Sequence, residues 1–325
     1  MNNKNTRLDV GVIGVGSMGQ HHARVYSELS NANLVGIFDT DSDRAAKIAA
    51  KHGADALELD ELLKNVAAVS VVVPTEYHLT IAEQCLTAGV APLIEKPVVP
   101  EQSEGKKLQA LRDEAGLPVQ VGHIERFNLA ISALKDVLDG MTVLSVKAER
   151  LGPPPSREIH DSAVLDLMIH DIDIVLSLVD GEPIEIHGAG VQDNRHATAT
   201  ITFDSGVIAN LTASRLTQRK VRKLTITAEE CLVEVDYMDQ SIEIHRRSIP
   251  EYIETNGNVR FRHESIIERP TIRNEEPLNQ ELQAFITVVE TGSDPIVTVE
   301  DGLKALELAQ TIEEMGNRTA IKAKK

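Results

Sequence analysis

The chain has 325 residues, a length that predicts two domains and a core large enough to need no disulfide or metal for stability. It carries 33 Lys and Arg against 50 Asp and Glu, and the net charge of -17 disfavours a polyanion such as nucleic acid as a partner. Only 3% of the residues are aromatic, which also disfavours a surface on which nucleic-acid bases stack.

The sequence indicates no membrane segment, disulfide framework or metal site. Cys85 and Cys231 lie far apart and lack the spacing of a zinc site. No apolar stretch of signal-peptide length opens the sequence, and no later stretch reaches the roughly 18 apolar residues of a spanning helix. We therefore expect a cytoplasmic protein without membrane partners.

In the first part of the chain, up to about Gly122, short apolar runs alternate with helical segments. Between the runs, residues 42–52 and 75–89 carry apolar side chains at helical spacing. This alternation is typical of the strand and helix units of a parallel sheet, and we predict a first domain over residues 1–122. The apolar runs cover residues 8–15, 34–38, 66–73, 91–94 and 118–121.

The pattern changes in residues 123–325, the predicted second domain. Short alternating runs separated by turn signals replace the longer helical segments there. The predicted elements are helices at 127–138 and 161–179, a strand at 142–149, an antiparallel meander between 183 and 247, an irregular charged loop at 256–273 and closing helices at 275–291 and 299–315.

A Gly-x-Gly-x-x-Gly pattern lies between the first predicted strand and the first helix. In this pattern the first glycine allows a tight turn, the second lets a pyrophosphate approach the backbone, and the third lets helix and strand pack closely. The N–H groups at the start of the helix bind the phosphates. We predict that the cofactor-binding turn consists of Gly14, Gly16, Ser17, Met18 and Gly19.

Asp39 closes the second apolar run, 25 residues after Gly14. A carboxylate at this position accepts hydrogen bonds from the adenosine ribose and repels a 2'-phosphate, which favours NAD over NADP. Arg44, a turn into the next helix, leaves an alternative open because its charge suits a 2'-phosphate. A solvent-facing helix charge is the favoured interpretation of Arg44.

Lys96 follows Glu95 at the carboxyl end of an apolar run, where open parallel sheets bind their ligands. Pro97 restricts the backbone of Lys96 and permits a cis bond, which fixes the direction of the ammonium group. An ordinary surface Glu–Lys pair is the alternative.

Asp166 and His170 stand four residues apart in a predicted helix, on one face and within reach of a common ligand. The ordinary pKa of histidine, about 6.5, suits proton transfer near neutrality. A metal pair is disfavoured because no third ligand is evident. Asp171 and Asp173 are interpreted as a solvated helix edge or cap.

Four motifs occur in a particular order: the glycine pattern at 14–19, Pro-Thr-Glu-Tyr-His at 74–78, Glu-Lys-Pro at 95–97, and Asp166-x-x-x-His170. This ordered set resembles the Gfo/Idh/MocA superfamily, named for glucose–fructose oxidoreductase, inositol dehydrogenase and rhizopine catabolism proteins. The resemblance implies an α/β chain: an N-terminal Rossmann domain with a doubly wound parallel sheet, and a C-terminal α+β domain with a large, mostly antiparallel open sheet. It also implies hydride transfer between NAD and a sugar or cyclitol carbon.

The resemblance assigns roles to the matching positions. Lys96 and His170 would be the catalytic pair, and Asp166 would hydrogen-bond the substrate. Family members differ in whether the histidine or the lysine takes the proton, and we expect His170 as the base, with Lys96 polarising the developing alkoxide. Thr75 and His78 would line the nicotinamide half of the cofactor site, with Glu95 beside it, and Pro74 and Lys96 are also expected to bind the cofactor.

A narrower resemblance rests on segments 121–128, 149–153, 221–224 and 234–237. They are similar to the branch that contains UDP-N-acetylglucosamine 3-dehydrogenases, which supply a 3-keto sugar nucleotide to an aminotransferase. A diphosphate needs cations, and arginine binds phosphate in a bidentate manner. For Arg126 and Arg150 the alternative is a structural ion pair with a neighbouring glutamate such as Glu125 or Glu149. The expected substrate ligands are Arg126, Asn128, Arg150, Arg157, Asp166 and His170.

The predicted function is NAD-dependent oxidation of a sugar hydroxyl to a ketone, at C3 of UDP-N-acetylglucosamine. A dehydrogenase of a free aldose or inositol and a non-enzymatic NAD-binding sugar sensor are the alternatives. A sensor has no chemical need for both Lys96 and His170, so their joint presence favours an enzyme. Because an open sheet exposes a large face, we expect a homodimer or homotetramer formed through it.

Overall fold

The computed structural model describes residues 7–154, 162–246, 251–255, 258–262 and 266–319. The chain divides into two compact units. Unit 1 consists of Met1–Phe127 and Glu275–Glu307, and unit 2 consists of Asn128–Asn274 and Leu308–Lys325.

Unit 1 is built on a six-stranded parallel sheet. Its strands are β1 (Leu8–Ile13), β2 (Ala32–Phe38), β3 (Asp55–Ala56), β4 (Ala68–Val71), β5 (Ala91–Glu95) and β6 (Gln120–Gly122), in the order β3-β2-β1-β4-β5-β6. All residues of β4 are buried, as expected for a strand covered on both faces. The strand order reverses between β1 and β4, and open α/β sheets bind their ligands outside the carboxyl ends of the strands at such a point.

The helices of the first half follow the predicted alternation. They are α1 (Gly19–Glu28), α2 (Ser42–His52), α3 (Leu59–Asn65), α4 (His78–Thr87) and α5 (Gln102–Ala115). In α2 the side chain of Asp41 caps the start by accepting from the Arg44 N–H, and Gly53 ends the helix with φ of 70°. The predicted Rossmann fold is therefore confirmed.

Unit 1 also contains the helix α9 (Pro277–Thr291) and the first part of α10 (Val299–Thr319), which were predicted to belong to the second domain. The reason lies in the apolar face of α9. Leu278, Leu282 and Phe285 join the same buried cluster as the strands β1 and β2. Burial of these large side chains assigns α9 to the sheet of unit 1, although more than 150 residues separate it from β6 along the chain.

Unit 2 contains an eight-stranded, mostly antiparallel sheet, as predicted. Its strands are β7 (Val143–Leu151), β8 (Pro183–Val191), β9 (His196–Phe203), β10 (Ile208–Ser214), β11 (Val221–Ala228), β12 (Cys231–Asp236), β13 (Ser241–Arg246) and β16 (Ile266–Glu268), in the order β16-β13-β12-β11-β7-β10-β9-β8. The predicted simple meander is wrong at one place, because β7 lies between β10 and β11 and pairs with β10 in parallel.

Unit 2 also contains α6 (Leu129–Ser132), α7 (Leu134–Leu138), α8 (Ile169–Leu178), the hairpin strands β14 (Glu251–Thr255) and β15 (Asn258–Arg262), and the part of α10 from Leu308 onward. The prediction of an irregular loop at 256–273 is wrong where β15 pairs with β14 and β16 pairs with β13. Residues 256–257 and 263–265 of that segment lie outside the described residues. Among the described helices, none combines the length and apolarity needed to cross a membrane.

Candidate active site

The glycine turn after β1 has the geometry that its sequence pattern predicts. Gly14 has φ of +86°, and a Cβ there would lie 2.5 Å from the Val72 carbonyl oxygen. A Cβ on Gly19 would collide with the carbonyl oxygen of Gly14, so this glycine permits the close packing of helix and turn. A Cβ on Gly16 would meet no atom within 4 Å, which leaves open space beside the turn.

The start of α1 offers an anion site next to that space. Met18 provides no side-chain cap, and the first turn carries no acidic residue. Uncapped N–H groups and the positive end of the helix dipole therefore remain for phosphate. Ser17 is exposed and Met18 half-buried in this turn. The open cradle and uncapped helix fit a dinucleotide, which residues 14–19 would hold by its pyrophosphate.

Asp39, at the end of β2, is fixed beside the turn. Its Oδ2 accepts the N–H of Val15 at 2.8 Å, and its Oδ1 accepts the N–H of Asp41 at 2.9 Å. Arg44 adds a two-pronged contact, with Nε 3.0 Å from Oδ2 and a terminal nitrogen 2.6 Å from Oδ1. Burial alone would raise the pKa of Asp39, but these donors outweigh it and hold the pKa below its ordinary value. Arg44 is exposed, as the favoured interpretation of a solvent-facing helix charge predicts, and its guanidinium also contacts Asp39.

The segment after β4 carries Pro74, Thr75 and His78. Pro74 is exposed and Thr75 half-buried, so both can contact a cofactor. His78 is only 1% exposed, and its ring nitrogens lie 2.9 Å from the carbonyl oxygens of Pro97 and Val73. Burial lowers the pKa of His78, and the two carbonyl contacts oppose that effect. His78 therefore ties the segment after β4 to the segment after β5, which corrects its prediction as a lining residue.

Glu95 ends β5 with a nearly buried carboxylate, 12% exposed. Its Oε1 lies 3.1 Å from Nε2 of His22, and its Oε2 accepts the backbone N–H of Lys96 at 3.2 Å. Burial would raise the pKa of Glu95, but the hydrogen bond from His22 and the charge of Lys96 outweigh it, so the pKa lies below its ordinary value. Lys96 is half-buried, and the peptide bond to Pro97 is cis. The interpretation of a surface Glu–Lys pair is therefore wrong.

Two acids of this interior take opposite charge states. Glu281 on α9 is fully buried, and within the described residues neither of its carboxyl oxygens has a hydrogen-bond partner. Burial raises the pKa of Glu281 well above its ordinary value, and the negative charge of Glu95 raises it further. Glu95 is therefore the ionised acid and Glu281 the neutral one. Sequence reasoning missed Glu281, although a lone acid among Leu278, Leu282 and Phe285 on an apolar helix face was the signal.

In unit 2, Asp166 and His170 span a change of helix type. Residues Val164–Met168 form one π-helical turn, and α8 begins at Ile169. Both side chains are half-buried, and the carboxylate of Asp166 accepts a hydrogen bond from Arg215. π-helical turns often occur at functional sites because they re-aim side chains inside a helix. The sequence carries no local signal for Arg215, which lies 49 residues from Asp166.

Arg150 and Asp171 form a buried pair inside unit 2. Arg150 is 3% exposed, and its Nε and a terminal nitrogen donate to the two oxygens of Asp171 at 2.9 and 2.8 Å. Its guanidinium also lies over the ring of Tyr237, 5.3 Å from the centroid. This arrangement corrects two predictions: Arg150 is a structural residue, and Asp171, like the 1% exposed Asp173, is not a solvated helix edge.

The remaining predicted substrate ligands are Asn128, Arg126 and Arg157. Asn128 is 1% exposed and caps α6, since its Oδ1 accepts the Ala130 N–H while its amide donates to the Tyr237 carbonyl oxygen. It is therefore a structural residue as well, which corrects its prediction as a ligand. Arg126 is half-buried in the 3-10 helix Ile124–Phe127 of unit 1. Arg157 lies outside the described residues.

The chain matches two family models: the Gfo/Idh/MocA oxidoreductase family with an NAD-binding Rossmann fold over residues 8–123, and the Gfo/Idh/MocA C-terminal domain over residues 143–234. It is 37% identical over 245 residues to the UDP-N-acetylglucosamine 3-dehydrogenase of Acidithiobacillus ferrooxidans, covering 74% of this chain and 77% of that one. A solved structure of that enzyme matches with a TM-score of 0.87 and 30% identity, over 96% of this chain and 99% of the other. An inositol 2-dehydrogenase of Rhizobium meliloti is 25% identical over 317 residues, which is 92% of this chain and 94% of that one.

Asp39→Asn should weaken NAD binding by about tenfold or more, because the amide loses the charge that accepts the ribose hydroxyls. Isothermal titration with NAD measures the change. The matched control is Asp43→Asn, an exposed acid in the first turn of α2, which should bind NAD like the parent. Equal affinities of the Asp39→Asn variant and the parent would contradict the assignment.

Glu281→Gln should become progressively more stable than the parent as the pH rises from about 5 to 8. Below the pKa of an unfolded glutamate, about 4.3, folded and unfolded chains both hold the proton, so burial carries no ionisation cost. Above it only the unfolded chain loses the proton, and the parent loses up to about 1.4 kcal/mol per pH unit until the pH passes the raised folded pKa.

Urea unfolding of the full chain at several pH values measures this difference. Glu290→Gln, at an exposed position of the same helix, is the control and should show no such trend. A stability difference that is constant with pH would mean that Glu281 is ionised in the folded protein.

Proposed function

The chain belongs to the Gfo/Idh/MocA family of NAD-dependent dehydrogenases, and we propose that it oxidises the C3 hydroxyl of UDP-N-acetylglucosamine to the 3-keto sugar nucleotide. The observation that carries the choice of substrate is the 37% identity to an enzyme named for this reaction. The inositol dehydrogenases among the relatives are 25 to 33% identical. The proposal therefore follows the relative with the higher identity over three quarters of the chain.

In this proposal His170 removes the proton of the sugar hydroxyl as the C–H bond breaks. NAD, when bound, supplies the acceptor of the hydride. The ammonium of Lys96 stabilises the negative charge that develops on the sugar oxygen as it becomes a carbonyl. The proton thus goes to the imidazole and the electron pair leaves with hydrogen, so the alcohol becomes a ketone.

Asp166 is the proposed hydrogen-bond partner of the substrate, and Arg215 orients it. An arginine on one carboxylate oxygen restricts the direction in which the side chain points. A charged, fixed acceptor binds a sugar hydroxyl more selectively than a mobile one. Arg215 is therefore a positioning residue of this proposed site.

One observation favours the second candidate, a dehydrogenase of a free sugar or inositol. Arg150, expected to bind the diphosphate, is committed to Asp171 inside unit 2. A nucleotide sugar then depends on Arg126, Arg157 or other cations for its phosphates, whereas a cyclitol needs none. The match to an inositol dehydrogenase over 92% of the chain is consistent with this alternative.

We further propose that the protein is cytoplasmic and forms a homodimer or homotetramer through the open face of the eight-stranded sheet. That face carries polar side chains such as Thr198, Thr200 and Thr225. An aminotransferase that consumes the keto sugar is the proposed downstream partner, because a 3-keto group is the substrate that a transamination requires.

Mixing the protein and NAD with UDP-N-acetylglucosamine should produce NADH absorbance at 340 nm, while N-acetylglucosamine, glucose and myo-inositol should not. Alkaline buffer helps the reaction because oxidation releases a proton. NADH formation with myo-inositol or a free sugar alone would transfer the assignment to the second candidate. NAD binding without reduction of any of the four would favour the sugar sensor.

His170→Ala and Lys96→Ala should each lower kcat by at least about 100-fold, the lower bound for a positioned acid or base. Lys107→Ala, at an exposed lysine of unit 1 that the proposed site does not use, is the control and should leave kcat unchanged. Steady-state rates at saturating substrate measure kcat. Near-normal turnover in His170→Ala or Lys96→Ala would contradict the catalytic role proposed for that residue.

A further inference from the structure

A buried pair of side chains lies behind Lys96 and is not used by the proposed reaction. His22 on α1 has no exposed surface, and its Nε2 is 3.1 Å from the Glu95 carboxylate across 73 residues of sequence. An ionised carboxylate only accepts, so the proton of this hydrogen bond belongs to His22 Nε2. A histidine buried on an apolar helix face needs such a partner, and here the partner is the residue before Lys96.

The absence of a side chain at Gly122 leaves room for the Glu95 carboxylate. Gly122 ends β6 beside it, and a Cβ on Gly122 would lie 3.2 Å from Glu95 Cδ and 3.3 Å from Oε1. The side chain of Glu95 is thus confined between β6 and α1. A confined carboxylate with fixed donors on both oxygens has a defined direction.

The low polarity around Glu95 also limits how many acids are ionised there. Glu281 is the second acid, and it carries no hydrogen-bond donor within the described residues. Two carboxylates in a region of low polarity do not both ionise, and the one with donors takes the charge. His22 and the Lys96 N–H are the donors to Glu95. Among the described residues, the titratable side chains that interact electrostatically with Glu95 are His22, His78, Lys96 and Glu281.

We propose that His22 is a positioning residue of the dehydrogenase: its Nε2–H holds the Glu95 carboxylate beside the Lys96 backbone N–H, and this contact fixes the backbone from which the Lys96 side chain extends. The inference rests on the proposed role of Lys96. Without the donor on His22, the same burial that keeps Glu281 neutral acts on Glu95. A protonated Glu95 is no longer a charged acceptor for the Lys96 backbone N–H, and the position of the Lys96 side chain is then less well fixed.

The test is a ¹³C NMR titration of the Glu95 carboxyl carbon in the full-length protein, with Glu95→Gln providing the assignment. His22→Leu should raise the titration midpoint by about one pH unit or more, a tenfold gain in proton affinity. His22→Gln keeps an N–H donor at the place of Nε2 and should restore most of the shift. A midpoint in His22→Leu that stays within about 0.3 units of the parent overturns the proposal.

Tyr26→Phe is the matched control, because it removes another buried hydrogen bond from the same face of α1, one turn away. Its hydroxyl lies 3.0 Å from Ser70 Oγ. This variant should lower the thermal midpoint without moving the Glu95 titration. A shift as large as that of His22→Leu would show that any damage to α1 has this effect, and the proposal would fail. If His22→Leu does not fold, His22→Asn, polar but too short to reach Glu95, takes its place.

A kinetic readout separates this inference from the proposed function. In His22→Leu, kcat relative to the parent should be lower at about pH 5 than at about pH 9, by the fraction of Glu95 that the raised midpoint leaves protonated at the lower pH. A merely structural defect lowers kcat equally at both. Normal turnover of Lys96→Ala would overturn the proposed role of Lys96, whereas the NMR titration would still decide whether His22 holds the charge of Glu95.

Discussion

The ionised carboxylates at the carboxyl edge of the parallel sheet require hydrogen-bond donors, and this requirement explains several of the contacts in unit 1. Asp39 directly follows β2 and Glu95 ends β5, where the strands leave the hydrophobic interior and these side chains are only partly solvated. An ionised group in such surroundings is stable only if donors replace the lost water. Asp39 obtains them from the glycine turn and Arg44, and Glu95 from His22 and the Lys96 backbone.

These donors differ in how many residues separate them from the carboxylate that they bind. The shorter the separation, the more readily the sequence alone predicts the contact. Gly14, Gly16 and Gly19 act through their own backbone, so their pattern predicts both the turn and its ligand. Arg44 is five residues from Asp39, so the sequence places the two residues near each other, but it does not show that the guanidinium turns back to contact the carboxylate. His22 meets Glu95 across 73 residues, and no local pattern reports such a pairing because only the packing of α1 against the sheet creates it.

The same limit explains the errors in unit 2 and at the domain boundary. A single apolar strand such as β7 is compatible with several sheet orders, and its insertion between β10 and β11 follows from pairings that alternation does not encode. Asp171 was interpreted as a solvated edge because charged side chains usually are, and only the approach of Arg150 reverses this. α9 belongs to unit 1 because its apolar face joins the core of unit 1, a relation that distance along the chain conceals.

Whether the substrate is a nucleotide sugar depends on which arginines are available to bind its phosphates. Arg150 neutralises Asp171 inside unit 2, and Arg215 is engaged by Asp166, so each of these cations stabilises or orients an acid. A pair of opposite charges presents little net field to a phosphate. The overall charge of -17 adds to this cost, because a nucleotide diphosphate approaches an acidic protein. Selectivity for a nucleotide sugar therefore requires a local group of cations beyond these two pairs, and binding that weakens steeply with added salt would be its signature.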